Sequence, residues 1–112
     1  RANQKTYNQD VYINVAGGLE LSEPAADLAL CMAVVSSLKD MPVGAEVAVM
    51  GEVGLAGEVR AIPQCERRIA ECQRLGFNTI MIPRENMKRI TPPEGVKLIG
   101  VDTVMQALSV LF

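Results

Sequence analysis

Residues 26–35 read Ala-Asp-Leu-Ala-Leu-Cys-Met-Ala-Val-Val, and Asp27 is the one side chain of the ten that is not apolar. A helix of this composition has no polar side to turn to water, so it belongs in the interior of a fold. Ser22-Glu23-Pro24 stands ahead of it. Ser22 can cap the first turn by accepting from an unpaired backbone N–H. Pro24 suits the first turn because its missing donor costs nothing there. Asp40, Met41 and Pro42 end the run. The pattern predicts a buried helix from Pro24 to about Leu38, with Leu28, Leu30, Met32, Val34 and Val35 in the core. At 112 residues the chain has room for one such core.

The partners of that helix are short strands. Val11, Ile13 and Val15 alternate with Tyr12 and Asn14, which predicts a half-buried strand over residues 10–16 broken by Gly17-Gly18. Residues 45–50 alternate again, with Val47 and Val49 on one face. Gly54 and Gly57 fit a turn or bulge between two strands, the second running from Glu58 to Ile62. Pro63 opens a second helix, roughly Gln64 to Leu75, closed by Gly76. Cys65, Ile69, Cys72 and Leu75 lie toward its inner face, and Glu66, Arg67, Arg68 and Glu71 face water. Residues 79–82 form a continuous apolar strand, as buried parallel strands do. A loop or single helical turn over 84–90 follows, and a turn at Thr91-Pro92-Pro93-Glu94-Gly95. A strand over 96–101 leads to a final helix capped by Asp102 or Thr103, with Val104, Met105, Leu108 and Leu111 as its apolar stripe. The order βαββαβ(α)βα predicts a sheet covered by helices.

Composition excludes several functions. Net charge is −2, against the basic footprint of a domain that grips nucleic acid unaided. The chain has no His, so no Ser-His-Asp or Cys-His centre exists. Cys31, Cys65 and Cys72 form no CxxC pair, which leaves no zinc framework and indicates reduced thiols of a cytoplasmic protein. The longest apolar run, 28–35, is far below the roughly 20 residues that span a bilayer. The first residues lack the apolar segment of a signal peptide, and the absence of an initiating Met points to a piece of a longer chain. Gly51–Gly57 contains neither GxxxxGK[ST] nor a GxGxxG that opens a helix, so it cradles no phosphate. Cys65 at a helix start is a place where a thiolate can be stabilised, although no base partners it. Glu52 and Glu58 form a nominal acid–base pair that reads more simply as solvated turn residues.

The run Gly51-Glu52-Val53-Gly54-Leu55-Ala56-Gly57-Glu58-Val59, then the second helix and Gly76-Phe77 to Ile82-Pro83, resembles the proteolytic domain of the Lon family. So does Pro24-Ala25-Ala26 opening an apolar helix. The resemblance covers about residues 10–112. Lon proteases use a serine–lysine dyad. The nucleophile follows a proline in a Pro-Ser-Ala-Gly pattern, and its place here is Ala25. The place of the lysine is Glu66. The resemblance therefore implies a dyad missing at both ends, since Ala25 has no attacking oxygen and Glu66 no amine to take a proton. Neighbouring Arg67 does not deprotonate and cannot stand in.

A longer resemblance is to the RadA (Sms) family of bacterial recombination and DNA-repair ATPases. It rests on Asn8-Gln9-Asp10 through Gly17-Gly18, Glu23-Pro24-Ala25-Ala26-Asp27-Leu28-Ala29, residues 51–60, and Glu66-Arg67-Arg68-Ile69. It implies a two-layer α/β sandwich of a mixed sheet and helices, Lon-protease-like, over residues 10–112, with 1–9 the remnant of a preceding segment. It further implies a non-proteolytic scaffold in a hexameric ring of an ATP-dependent DNA branch-migration motor. ATP, Mg and Zn would be held only in upstream domains. Partners would be single-stranded or branched DNA and the recombinase RecA, with no membrane. Arg60, Arg67, Arg68, Lys88 and Arg89 are the candidate DNA contacts. An active serine–lysine peptidase and a protein-docking module without DNA contact are the alternatives.

Overall fold

The computed structural model describes residues 23–41, 44 and 46–112. The strand expected over 10–16, Gly17-Gly18 and the cap Ser22 lie outside the described residues. From Glu23 the chain makes a 3₁₀ turn (Pro24–Ala26), then α1 (Asp27–Lys39), β1 (Val47–Val49), β2 (Glu52–Val53) and β3 (Val59–Arg60). There follow α2 (Cys65–Arg74), β4 (Thr79–Pro83), the short α3 (Arg84–Met87), β5 (Lys97–Val101) and α4 (Val104–Leu111).

β1, β4 and β5 form a parallel sheet in the order β1-β4-β5, while β2 and β3 pair antiparallel as a hairpin. Register explains the core. Val49, Met81 and Ile99 stand in one cross-strand row, and Ala48, Ile80 and Leu98 in the next. Successive side chains of a strand point to opposite faces. The first row, with Val101, therefore packs on Leu28, Ala29, Met32 and Ala33 of α1 and Ala107 of α4. The second row, with Met50 and Ile82, packs on Cys65, Ile69 and Cys72 of α2. Burial on both faces is why residues 79–82 read as an unbroken apolar run. The expected sheet-on-helix layering is thus present, and it is present on both faces of the parallel sheet.

Three expectations about individual helices are corrected. α1 is not buried all round: Leu30, Val34 and Leu38 are 43%, 41% and 79% exposed. They recur every fourth residue on the side opposite Leu28, Met32 and Ser36, so only one face of the helix meets the sheet. Val35 is half-buried. In α4, Met105 is exposed and Ala107 buried, since 104, 107, 108 and 111 make the core stripe. Leu75 at the end of α2 is exposed. Helix ends follow ordinary chemistry. Asp40 takes a left-handed conformation (φ 56°) and ends α1, while the Ser36 hydroxyl donates to the Met41 carbonyl. Gly76 (φ 101°) ends α2, and Thr103 caps α4 by accepting from the Gln106 N–H at 3.1 Å.

Candidate functional site

The carbonyl of Ala25 accepts from the Gly51 N–H at 2.9 Å, and the carbonyl of Gly51 accepts from the Leu28 N–H at 2.9 Å. These reciprocal bonds pin the 3₁₀ turn to the end of β1. They carry the Ala25 methyl into the cluster formed by Ile62, Cys65 and Ile82, where it is 3% exposed. Position 25, where the resemblance puts the Lon nucleophile, thus carries a buried methyl. Asp27, the one acid in the apolar run, secures the hairpin against α1, because its Oδ2 accepts from the Val53 N–H at 3.2 Å. An acid alone in an apolar run was the signal for that bond.

Glu66 sits in the exposed first turn of α2, where the helix dipole favours a carboxylate. Its side chain makes no hydrogen bond or ion pair among the described residues. It borders a groove of about 220 Å³ lined by Ile62, Gln64, Cys65, Asn86, Arg89 and Ile90. A smaller hollow against Ile69, Thr91 and Pro93 adjoins it. One wall is α2 and the other is the segment from α3 to Pro93. Asn86 joins them: its Oδ1 accepts from the Ile62 N–H at 2.9 Å and its Nδ2 donates to the Ile62 carbonyl at 3.0 Å. No sequence pattern marked Asn86 for this.

Cys65 is the groove's one nucleophilic atom, and its environment disarms it. Burial pushes its thiol up to about 11, and the nearby Arg68 only partly opposes this. The thiolate-stabilising effect expected of a helix start loses to desolvation. Burial likewise pushes Cys72 up to about 11. Among the described residues no group of three or more His, Cys, Asp or Glu side chains is placed to hold a metal ion. None of the described helices is long and apolar enough to cross a membrane.

The structure separates the five cationic candidates by their partners. Arg60 is engaged by Glu58 at 2.9 Å and approached by Glu52 at 3.7 Å. Glu58 is held below the usual carboxylate range by its own backbone N–H first and then by Arg60. These acids are thus counter-ions rather than an acid–base pair. Arg68 does not simply face water: it donates to Glu23 at 2.8 Å and to the Pro63 carbonyl at 3.0 Å. That pair, spanning 45 residues, ties α2 to the 3₁₀ turn and has no local sequence signature. Lys88 lies 3.6 Å from Glu85. Arg67 and Arg89 are exposed and make no ion pair among the described residues, and only Arg89 lines the groove.

A buried parallel sheet flanked by helices, with a hairpin after β1 and a 3₁₀ turn ahead of α1, defines a mixed α/β domain. The family model for the Lon protease (S16) C-terminal proteolytic domain matches residues 1–111, and the chain belongs to that family. Within it, the chain is similar to proteins named DNA repair protein RadA. It is 43% identical over 105 residues to that of Streptococcus pyogenes serotype M1, covering 94% of this chain and 23% of the relative. Against the Salmonella typhimurium protein identity is 47% over 103 residues, covering 92% and 22%. Against that of Escherichia coli K12 it is 46% over 103 residues, again covering 92% and 22%. The chain thus spans less than a quarter of the length of these curated relatives.

Proposed function

We propose that this chain is the non-proteolytic C-terminal scaffold and oligomerisation domain of a RadA-type ATP-dependent DNA branch-migration helicase in recombinational DNA repair. The observation that carries the reading is the state of the dyad places. Ala25 is a buried methyl and Glu66 an exposed carboxylate, so acyl transfer has neither nucleophile nor base. What the fold still offers is a rigid core with an elaborated surface, and the relatives carry the name of a DNA repair protein. In this reading the domain holds subunits in a hexameric cytoplasmic ring and lines a channel for single-stranded or branched DNA. ATP, Mg and Zn are bound by other parts of the longer protein, and RecA is a partner. Six copies of a modest positive contact then add up although each domain is slightly acidic.

The second reading, a docking module without DNA contact, is favoured by the ion pairing of Arg60, Arg68 and Lys88. The full-length protein tests both. It should leave casein and fluorogenic peptides uncleaved with or without ATP, and Ala25→Ser with Glu66→Lys should not restore cleavage. A dyad needs supporting groups placed within about half an ångström. ATP-dependent movement of a branched DNA junction that is lost when residues 10–112 are deleted supports the motor reading. Cleavage by the unmodified protein overturns it.

A further inference from the structure

The surface carries a knob and a hole that its own chain does not join. The knob is Leu55, fully exposed at the tip of the β2–β3 hairpin. Its apolar surface yields a burial gain only when another surface covers it. The hairpin under it is braced. Gly57 turns the chain at φ 81°, the Glu58 carboxylate accepts from the Ala56 N–H at 3.1 Å, and Asp27 holds Val53. The tip is therefore presented by a stiff element. The hole is the groove between α2 and the α3–Pro93 segment, lined by the apolar Ile62, Cys65 and Ile90 together with Gln64, Asn86 and Arg89, and roomy enough at about 220 Å³ for a branched aliphatic side chain. Its wall is fixed by the two Asn86 bonds.

Charges of both signs stand at each of the two places. The hairpin carries two carboxylates, Glu52 and Glu58, around one guanidinium, Arg60. The groove rim carries Arg89 and Glu66, neither ion-paired among the described residues. Each charge thus has an opposite on the other surface: a hairpin carboxylate for Arg89, and Arg60 for Glu66. We propose that the occupant of this groove is the hairpin tip of a second copy of the chain, with Leu55 as anchor. The inference rests on the self-association in the proposed function and names its surface. Knob and hole lie on different parts of one molecule, so the contact is head-to-tail and propagates around a ring or along a filament rather than stopping at a pair.

Two variants of the full-length protein test it. Leu55→Asp should raise the apparent dissociation constant of self-association at least about tenfold, as loss of a buried anchor does. It should leave the melting temperature of the dissociated chain unchanged, because Leu55 is fully exposed within its own chain. In a Cys65→Ser background, which removes the groove's own thiol, Leu55→Cys combined with Glu66→Cys should give a disulfide ladder that extends beyond the dimer under oxidation, absent from either single variant. Assembly that survives Leu55→Asp, with no ladder from the double variant, overturns this interface alone. An unmodified protein that stays monomeric at every concentration overturns the oligomerisation reading and this interface with it.

Discussion

Asn86 satisfies both backbone groups of Ile62 with one side-chain amide, accepting from its N–H at 2.9 Å and donating to its carbonyl at 3.0 Å. Ile62 is 5% exposed, and both bonds are part-buried at the groove wall. Asn86→Ala leaves a buried donor and acceptor unmet and should cost about 1–3 kcal/mol in urea unfolding. Asn86→Asp, which keeps the acceptor and loses the donor, should fall between. Equal stability of all three proteins would show that the two walls of the groove are joined by other contacts.

The α1 helix gives a sharper contrast between neighbouring residues. Leu28 is completely buried in the cluster that holds Val49 and Met81 of the sheet, and Leu30 faces outward. Leu28→Ala should destabilise the chain by roughly 2–5 kcal/mol, the range for emptying a packed leucine site. Leu30→Ala should stay within about 0.5 kcal/mol in the dissociated chain, as exposed substitutions do. Chemical denaturation of the two variants side by side checks the assignment. A large loss at Leu30 would mean that its outer face is covered.

That pair also shows where sequence reasoning stops. Helix α1, the hairpin, α2, the strand at residues 79–82 and the Thr103 cap are legible because each follows from local chemistry: a proline, a left-handed glycine, an apolar run. Which face of α1 meets the sheet is not, because Leu28 and Leu30 are identical side chains and the helix is apolar on both sides. Met105 and Ala107 mislead for a related reason. A long apolar side chain looks like core, yet the methyl is what fits beneath the helix. At the site, Ala25 and Glu66 are singled out through resemblance alone, and the fold adds that the first is buried and the second exposed. The Asn86 bonds and the Glu23–Arg68 pair depend on residues brought together only by the tertiary fold.

The cysteines supply a test of the groove's chemistry. Cys65 and Cys72 carry thiols pushed up to about 11 by burial. Both should resist an aromatic disulfide reagent at pH 8 in the folded chain and react promptly in denaturant. The folded state holds these protons more tightly than the unfolded one. Their contribution to stability is therefore intact below about pH 9 and is lost as pH rises toward 11. Cys65→Ser should not reproduce that loss at position 65, since a hydroxyl does not titrate there. Fast labelling of Cys65 at pH 8 in the folded chain would reverse the conclusion that it is disarmed.

The arginines on α2 separate a candidate DNA contact from a structural tie. Arg67 is exposed and unpaired among the described residues, while Arg68 bonds Glu23 and the Pro63 carbonyl with its side chain largely covered. On the motor reading, Arg67→Ala in the full-length protein should weaken DNA binding and leave both ATP hydrolysis and the melting temperature in place. Each phosphate contact removed should reduce the slope of log affinity against log salt by about 0.7 for single strands and about 0.9 for duplex. Arg68→Ala should behave in the opposite way. It should lower stability by about 1 kcal/mol by releasing α2 from the 3₁₀ turn, with little change in salt slope. If Arg67→Ala alters neither affinity nor slope, the cation at this corner of the domain touches no phosphate, and the docking-module reading takes precedence over the DNA channel.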